Sequence, residues 1–265
     1  MGALLSRIYR RFFWSSYDNI GRLVVLNALW FAMFPVVTYV WFRLIPLAGF
    51  ARLVSTLLVA LLTHSFASSG VFAAAARIVR REPTTIRQFF GDGRRYYART
   101  LVLSVVFGFV FYLLFLSIRF YGRIEVGHGV LGFFLAGIQI WILAFCVLMQ
   151  VYLWPILFTK DWELRRVIKW SAILVVLQPG LTVLLFLQVF GLFVLLCITG
   201  VGIAVLASSL VSLFLATTLR EVLREMDAKW TPKKKPTSWK EIFAEQEEAE
   251  EDNRTLGDIL RPWDS

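Results

Sequence analysis

Long runs without charged residues dominate the order of hydrophobic and polar positions along the chain. From Trp170 to Leu219, fifty consecutive residues include no Asp, Glu, Lys or Arg. A membrane helix needs about 20 apolar residues, each adding about 1.5 Å, to cross the hydrocarbon layer. This run is too long for one crossing and fits two crossings joined by a tight turn. The pattern therefore predicts a protein embedded in a lipid bilayer.

Dividing the chain at its charged residues predicts an all-α polytopic membrane protein. We expect six transmembrane helices arranged as three hairpins, with short interfacial helices and a cytoplasmic C-terminal tail. The border between the last two helices is the least defined, because Gln178, Pro179 and Gly180 offer an early break and later glycines offer other turns. The predicted spans are 23–42, 53–76, 100–118, 130–157, 170–193 and 196–219.

Lys and Arg residues are distributed unequally between the two sides of such a bundle. With six crossings, 24 of the 28 Lys and Arg residues fall on the side that holds both termini. Because basic flanking residues stay in the cytoplasm, both termini are predicted to be cytoplasmic. The predicted domains are a basic amphipathic N-terminal segment at 1–22, a six-helix transmembrane domain at 23–219 and a cytoplasmic tail at 220–265.

Composition supports a membrane location, and the positions of the basic residues explain the net charge of +10. The chain is 58% hydrophobic and 17% charged, whereas soluble proteins carry about 25% charged residues. The basic residues flank the apolar runs, so their expected partners are the anionic headgroups of the bilayer and not nucleic acid. In the N-terminal segment, we expect Arg7, Arg10 and Arg11 at the headgroups and the neighbouring aromatic residues in the interface.

Two predicted spans carry small residues at four-residue intervals. This spacing lets two helix backbones approach closely where lipid supplies no hydrophobic drive for association. We therefore expect the second and sixth spans at the centre of the bundle, and packing is sufficient to explain the pattern. The positions are Ser65, Ser69 and Ala73 in the second span, and Ala204, Ser208, Ser212 and Ala216 in the sixth.

Four polar side chains within the spans are candidate membrane sites: Asn27, His64, Gln139 and Gln150. Gln139 and Gln150 lie three turns apart on one helix face, and an unsatisfied amide in hydrocarbon costs several kcal/mol. Two interpretations stay open, namely hydrogen bonds between helices or the lining of a wet cavity. His64 lies near the membrane centre. It is predicted to be neutral and hydrogen-bonded, because no carboxylate lies within any span.

The sequence offers no catalytic, cofactor-binding or metal-binding residues. His64 and Ser68 lie one helical turn apart, but the serine lacks a Gly-x-Ser-x-Gly setting and no carboxylate orients the histidine. The only other histidine is His128, so a zinc site built on histidines is excluded. We predict a protein that is not an enzyme and needs no cofactor.

Several segments resemble a known family. They are DNIGRLVVLNALW at 18–30, EPTTIRQFFGDGRRYY at 82–97, Trp154 with Pro155, and KDWELRRVIKWSAILVVLQPG at 160–180. Together they resemble the YesL-like family (domain of unknown function 624), bacterial integral membrane proteins of unknown function, over roughly residues 5 to 220. The resemblance implies the bacterial cytoplasmic membrane and an accessory role beside carbohydrate uptake. It implies no functional residues.

The C-terminal tail consists of a basic linker and an acidic amphipathic segment. Its net charge is +4 over 220–240 and −7 over 241–265. Leu256, Ile259, Leu260 and Trp263 form an apolar cluster near the end. One hypothesis is that this cluster docks on a protein partner or on the basic loops of this chain. The alternative is a disordered solubilising tail.

These patterns favour a non-enzymatic membrane protein that binds a partner as a scaffold or accessory subunit, and the family resemblance implies a link to carbohydrate uptake. The alternative is a transporter or channel for a small neutral solute, with His64, Gln139 and Gln150 along its path. The two hypotheses differ in one structural expectation. A solute path requires the polar side chains to line a continuous cavity, whereas an accessory subunit allows them to close on neighbouring helices.

Overall fold

The computed structural model describes residues 2–122 and 129–230, and these ranges are helical with no strand. A π-helical turn at Ala32–Val36 joins the second and third α-helices. The α-helices are α1 (Gly2–Asp18), α2 (Ile20–Phe31), α3 (Val37–Leu44), α4 (Gly49–Val79), α5 (Ile86–Tyr121), α6 (Gly129–Lys160), α7 (Leu164–Leu177), α8 (Pro179–Ile198), α9 (Val201–Val205) and α10 (Ala207–Trp230).

Five helical stretches of the described chain are long and apolar enough to cross a membrane. In four of them, at most 17% of the most apolar stretch is buried inside the bundle. Their outer faces are apolar, and Phe50, Trp141 and Ile198 are each more than three-quarters exposed. Such a surface suits lipid, so the fold has the character of a multi-pass membrane protein. The stretches are Ile20–Leu44, Gly49–Val79, Ile86–Tyr121, Gly129–Lys160 and Pro179–Ile198.

The first span is one continuous helical rod with a π turn in its middle. Pro35 lies inside that turn and has no N–H to donate to the preceding turn. Widening the helix to a π turn accommodates the missing hydrogen bond without ending the helix. The rod therefore continues through α3 to Leu44.

The structure corrects the two C-terminal spans, 170–193 and 196–219. The first is divided at Gln178, whose φ of −136° and ψ of 59° end α7 before Pro179 begins α8. The second is divided twice, at the Thr199–Gly200 turn and at Leu206 between α9 and α10. Proline explains the first break and a left-handed Gly200 explains the turn. The break at Leu206 has neither residue.

Helices α4 and α10 pack against each other at the centre of the bundle, as the small residues predicted. Ser65, Ser69 and Ala73 of α4 are buried, and so are Ser212 and Ala216 of α10. Around this pair, α10 also contacts α1, α2, α6, α8 and α9. Small side chains thus give α10 close neighbours on several sides.

Charged residues gather at one end of the bundle and tie its segments together. Glu221 of α10 pairs with Arg11 of α1, and Arg77 of α4 pairs with Asp92 of α5 at 2.9 Å. Asp161, which follows α6, accepts from both Arg95 and Arg99 of α5. This charged end therefore includes the N-terminal helix, the α4–α5 turn, the α6–α7 turn and the last part of α10.

Candidate functional site

Asn27 occupies the break between α9 and α10. Its side-chain Nδ2 donates to the carbonyls of Ile203 and Ala204, at 2.9 and 2.8 Å. Its Oδ1 accepts from the backbone amides of Ser208 and Ser209, at 2.8 and 3.3 Å. Breaking a helix frees such carbonyls and amides, and hydrocarbon offers no water to satisfy them. One fully buried amide therefore bridges both ends of the interruption.

His64 lies in a small group of side chains between α2 and α4. Its Nδ1 is 3.3 Å from the Ser68 hydroxyl, which also accepts from the Trp30 indole N–H at 3.2 Å. The Phe34 ring, carried by the π turn, packs on the imidazole with centroids 4.8 Å apart. Among the described residues, no carboxylate contacts His64. The arrangement suits a neutral imidazole that forms one hydrogen bond with the Ser68 hydroxyl.

A pocket of about 250 Å³ opens beside this group, and we call it the histidine pocket. Besides Trp30, His64 and Ser68, its walls come from α4, α6, α8, α9 and α10. The polar side chains therefore share a mainly apolar pocket. Ligand pockets usually measure about 300 to 1,000 Å³, so this chamber would fit only a small molecule. The other lining residues are Phe72, Trp154, Phe193, Ile203, Ala207, Ser208 and Val211.

Gln139 and Gln150 do not line the histidine pocket. Gln150 Nε2 donates to the carbonyl of Cys146 on its own helix at 3.3 Å. The Oε1 atom of Gln139 is buried without a hydrogen-bond partner among the described residues. The structure therefore does not join the four predicted polar sites into one cavity. Asn27 bonds to both sides of the α9–α10 break, and His64 lines a pocket with Ile203 and Ala207, which flank it.

Sequence reasoning missed the pairing of Arg11 with Glu221. Arg11 was expected at the headgroups, but its side chain is 5% exposed and donates to Glu221, whose side chain is 1% exposed, at 2.5 Å. Arg7 adds a second cation 3.7 Å from the same carboxylate. The correction has a simple cause. Helix α10 continues past the charge-free run, and Glu221 lies on the side of α10 that faces α1. Helix α1 therefore packs against α10 at this ion pair.

A third feature is an apolar groove of about 500 Å³ at the charged end, between α6, α7 and α10. Its walls are aromatic and aliphatic, and one charge of each sign lies at its rim. The principal lining residues are Trp162, Trp170, Leu174, Leu223 and Met226, with Lys160 and Asp227 at the rim. The predicted docking residues Leu256, Ile259, Leu260 and Trp263 lie outside the described residues.

The described residues include no group of three or more His, Cys, Asp or Glu side chains that could hold a metal ion. Comparison with family models, with curated proteins and with solved structures finds no match to this chain. The resemblance to the YesL-like family therefore stays a prediction, and the geometry alone supports the functional argument.

Proposed function

We propose that the chain is a non-enzymatic accessory subunit or scaffold of the bacterial cytoplasmic membrane, a role that agrees with its resemblance to the YesL-like family. One observation carries this proposal: its intramembrane polar side chains are mostly engaged in holding helices. Asn27 closes on the α9–α10 break, Ser69 donates to Thr100 at 2.8 Å and Gln150 donates within its own helix. A solute path would need such groups free to face the solute.

The proposed topology adds a sixth crossing, made by α9 and α10, to the five candidate stretches and places both termini in the cytoplasm. Two contacts support it. Arg220 of α10 donates to the carbonyl of Val79, at the end of the second candidate span. Glu221 pairs with Arg11 of the first helix. Helix α1 and the second half of α10 are thus in contact, and this contact supports an even number of crossings. The basic residues at this end favour the cytoplasmic side.

The proposed partner contact is the C-terminal tail. The apolar groove between α6, α7 and α10 is a binding site within reach of the tail, because Asp227 lines the groove and the tail follows Asp227 closely in sequence. The cluster of Leu256, Ile259, Leu260 and Trp263 suits an apolar groove, and the lysine at the rim suits an acidic segment. A partner would compete with this groove for the same cluster.

Crosslinking and affinity capture of the intact chain from its own membrane test the accessory role. We compare the full chain with a chain lacking 231–265 and with a full-length variant whose four apolar tail residues are replaced by Ser. We expect a stoichiometric membrane partner that is lost in both altered chains. The same crosslinked species from all three would contradict a partner contact through the tail.

The histidine pocket favours a second candidate function, the passage or binding of a small neutral solute. Its volume of about 250 Å³ and its single histidine suit a compact uncharged molecule. Osmotic swelling of vesicles containing the protein, with glycerol as the solute, distinguishes the two functions. An accessory subunit leaves the swelling rate at that of protein-free vesicles. A faster rate that His64→Phe abolishes by filling the pocket would favour the solute function.

A further inference from the structure

A second, more polar pocket lies at the charged end, where α1, α2, α10 and the α4–α5 turn meet. Its volume is about 440 Å³. We call it the arginine pocket, because four of its lining residues are arginines contributed by four different segments. The charged residues that line it are Arg11, Arg22, Arg81, Arg220, Asp18 and Glu82.

The lining has more positive than negative charge. Four guanidinium groups and two carboxylates line the pocket, and because Arg11 is paired with Glu221, three arginines are set against the two carboxylates. Glu82 is bound by Arg80 at 3.0 Å, which reduces its effect on the pocket. Arg22 donates to the side-chain oxygen of Asn19 at 2.9 Å, so its partner is neutral. A site with this balance attracts an anion and repels a cation.

The backbone places Arg81 in the pocket at a conformational cost. Arg81 has a φ of 60°, in the left-handed region that glycine usually occupies after a helix. Its amide donates to the carbonyl of Ile78, and the amide of Glu82 donates to the carbonyl of Arg77, each at 3.0 Å. These two bonds form the usual left-handed end of a helix. An arginine in place of glycine there is unfavourable for the backbone and supplies a guanidinium to the pocket.

The pocket lies where helices leave the apolar layer. Arg22 is near the beginning of the candidate span Ile20–Leu44, and Arg81 follows the end of the candidate span Gly49–Val79. Phosphate groups of lipids occupy this level, and guanidinium groups bind phosphate oxygens in pairs. We propose that the arginine pocket binds a phosphate group, carried by an anionic phospholipid headgroup or by a free phosphorylated molecule. This ligand is independent of the accessory role.

Native mass spectrometry of the full chain in detergent tests the proposal. The added probes are short-chain phosphatidylglycerol, phosphatidylcholine with the same chains, and inorganic phosphate. The pocket variant is Arg22→Gln with Arg81→Gly, where glycine fits the left-handed backbone. The control is Arg87→Gln with Arg94→Gln, which removes the same charge from exposed positions on α5. Arg22→Gln alone keeps the test valid if the double variant folds poorly.

We expect the pocket variant to lose affinity for phosphatidylglycerol by about fivefold for each arginine removed. The control variant should keep the wild-type affinity, and phosphatidylcholine should bind all chains equally weakly. A parallel, pocket-dependent loss for inorganic phosphate would assign a free phosphate ligand, whereas a loss restricted to the lipid would assign the headgroup. Equal affinities for pocket and control variants with every probe would overturn the proposal.

Discussion

A single amide supports the interruption of the helix α9–α10. Asn27 supplies two donated and two accepted hydrogen bonds to backbone groups on either side of Leu206. In water these groups would find other partners, but in a membrane each unsatisfied group costs about 1 to 3 kcal/mol. The stability of the break therefore depends on the Asn27 side chain staying in this position. Asn27 itself is held because it is fully buried on α2.

Asn27→Leu is expected to lower the free energy of unfolding by roughly 2 to 4 kcal/mol, because the backbone groups around Leu206 lose their partners together. Gln150→Leu is the matched control. Among the described residues its amide donates to the carbonyl of Cys146 one turn away on the same helix, so its loss should cost about 0.6 kcal/mol. Denaturant unfolding in detergent measures both changes. Equal losses in the two variants would show that Asn27 does not support the break.

A close helix approach at Gly70 gives a second prediction for a single residue. A Cβ atom added there would lie 2.5 Å from the ring of Phe89, which is fully buried. Gly70→Ala should therefore destabilise the protein by roughly 1 to 3 kcal/mol through overpacking. Gly91→Ala, with open space around its Cβ, should stabilise its helix by up to about 1 kcal/mol. A thermal melt in which Gly70→Ala has a melting temperature equal to or above that of Gly91→Ala would contradict the close packing at Gly70.

The sequence singled out Asn27 and His64 because they are polar within apolar runs. The contact of His64 with Ser68, one turn along α4, is visible from their spacing. The contacts of Asn27 were not predictable, because Ile203 lies 176 positions away. No alternation or spacing relates residues so far apart. Gln139 is also polar within an apolar run, yet its side-chain oxygen has no hydrogen-bond partner among the described residues.

At the scale of elements, the joint between α1 and α10 organises the charged end. A buried ion pair is costly to desolvate, and removing one partner leaves an uncompensated buried charge. Glu221 fixes α1 through Arg11 and Arg7, and the apolar side chains Leu4 and Ile8 bury themselves in the same contact. Sequence analysis placed α1 at the membrane surface. Its apolar stripe was recognisable, but an amphipathic helix fits protein and headgroups equally well.

Glu221→Gln is expected to weaken this joint. Because Arg11 would keep its charge while losing the carboxylate, the loss of stability should be about 3 to 5 kcal/mol. Trypsin should then cut within α1 much faster than in the wild-type chain. Glu225→Gln is the control, since the Glu225 side chain is 22% exposed and pairs with Arg7, whose side chain is 34% exposed. Similar cleavage of both variants would mean that Glu221 does not hold α1.

For the whole molecule, long apolar runs were enough to predict an all-helical membrane fold and its central pair of helices. The two spans nearest the C-terminus were wrong in continuity, for a physical reason. Hydropathy measures the solvent preferred by a segment, whereas a break depends on local backbone geometry and on a partner for the freed groups. Pro179 marked one break in the sequence. No residue type in the sequence marks the break at Leu206. The backbone groups on either side of it are satisfied by Asn27, which lies on a helix distant in sequence.

The proposed topology depends on α8 and the interrupted α9–α10 forming a last hairpin, which would give six crossings and one charged, cytoplasmic end. Cysteine accessibility in intact cells tests it most directly, after Cys146 and Cys197 are replaced by Ala. A membrane-impermeant thiol reagent should label a cysteine at Thr199, in the α8–α9 turn, without permeabilisation. It should label cysteines at Thr84, in the α4–α5 turn, and at Asp227, near the end of α10, only after permeabilisation. Labelling of Thr199 and Asp227 from the same side would contradict a last hairpin.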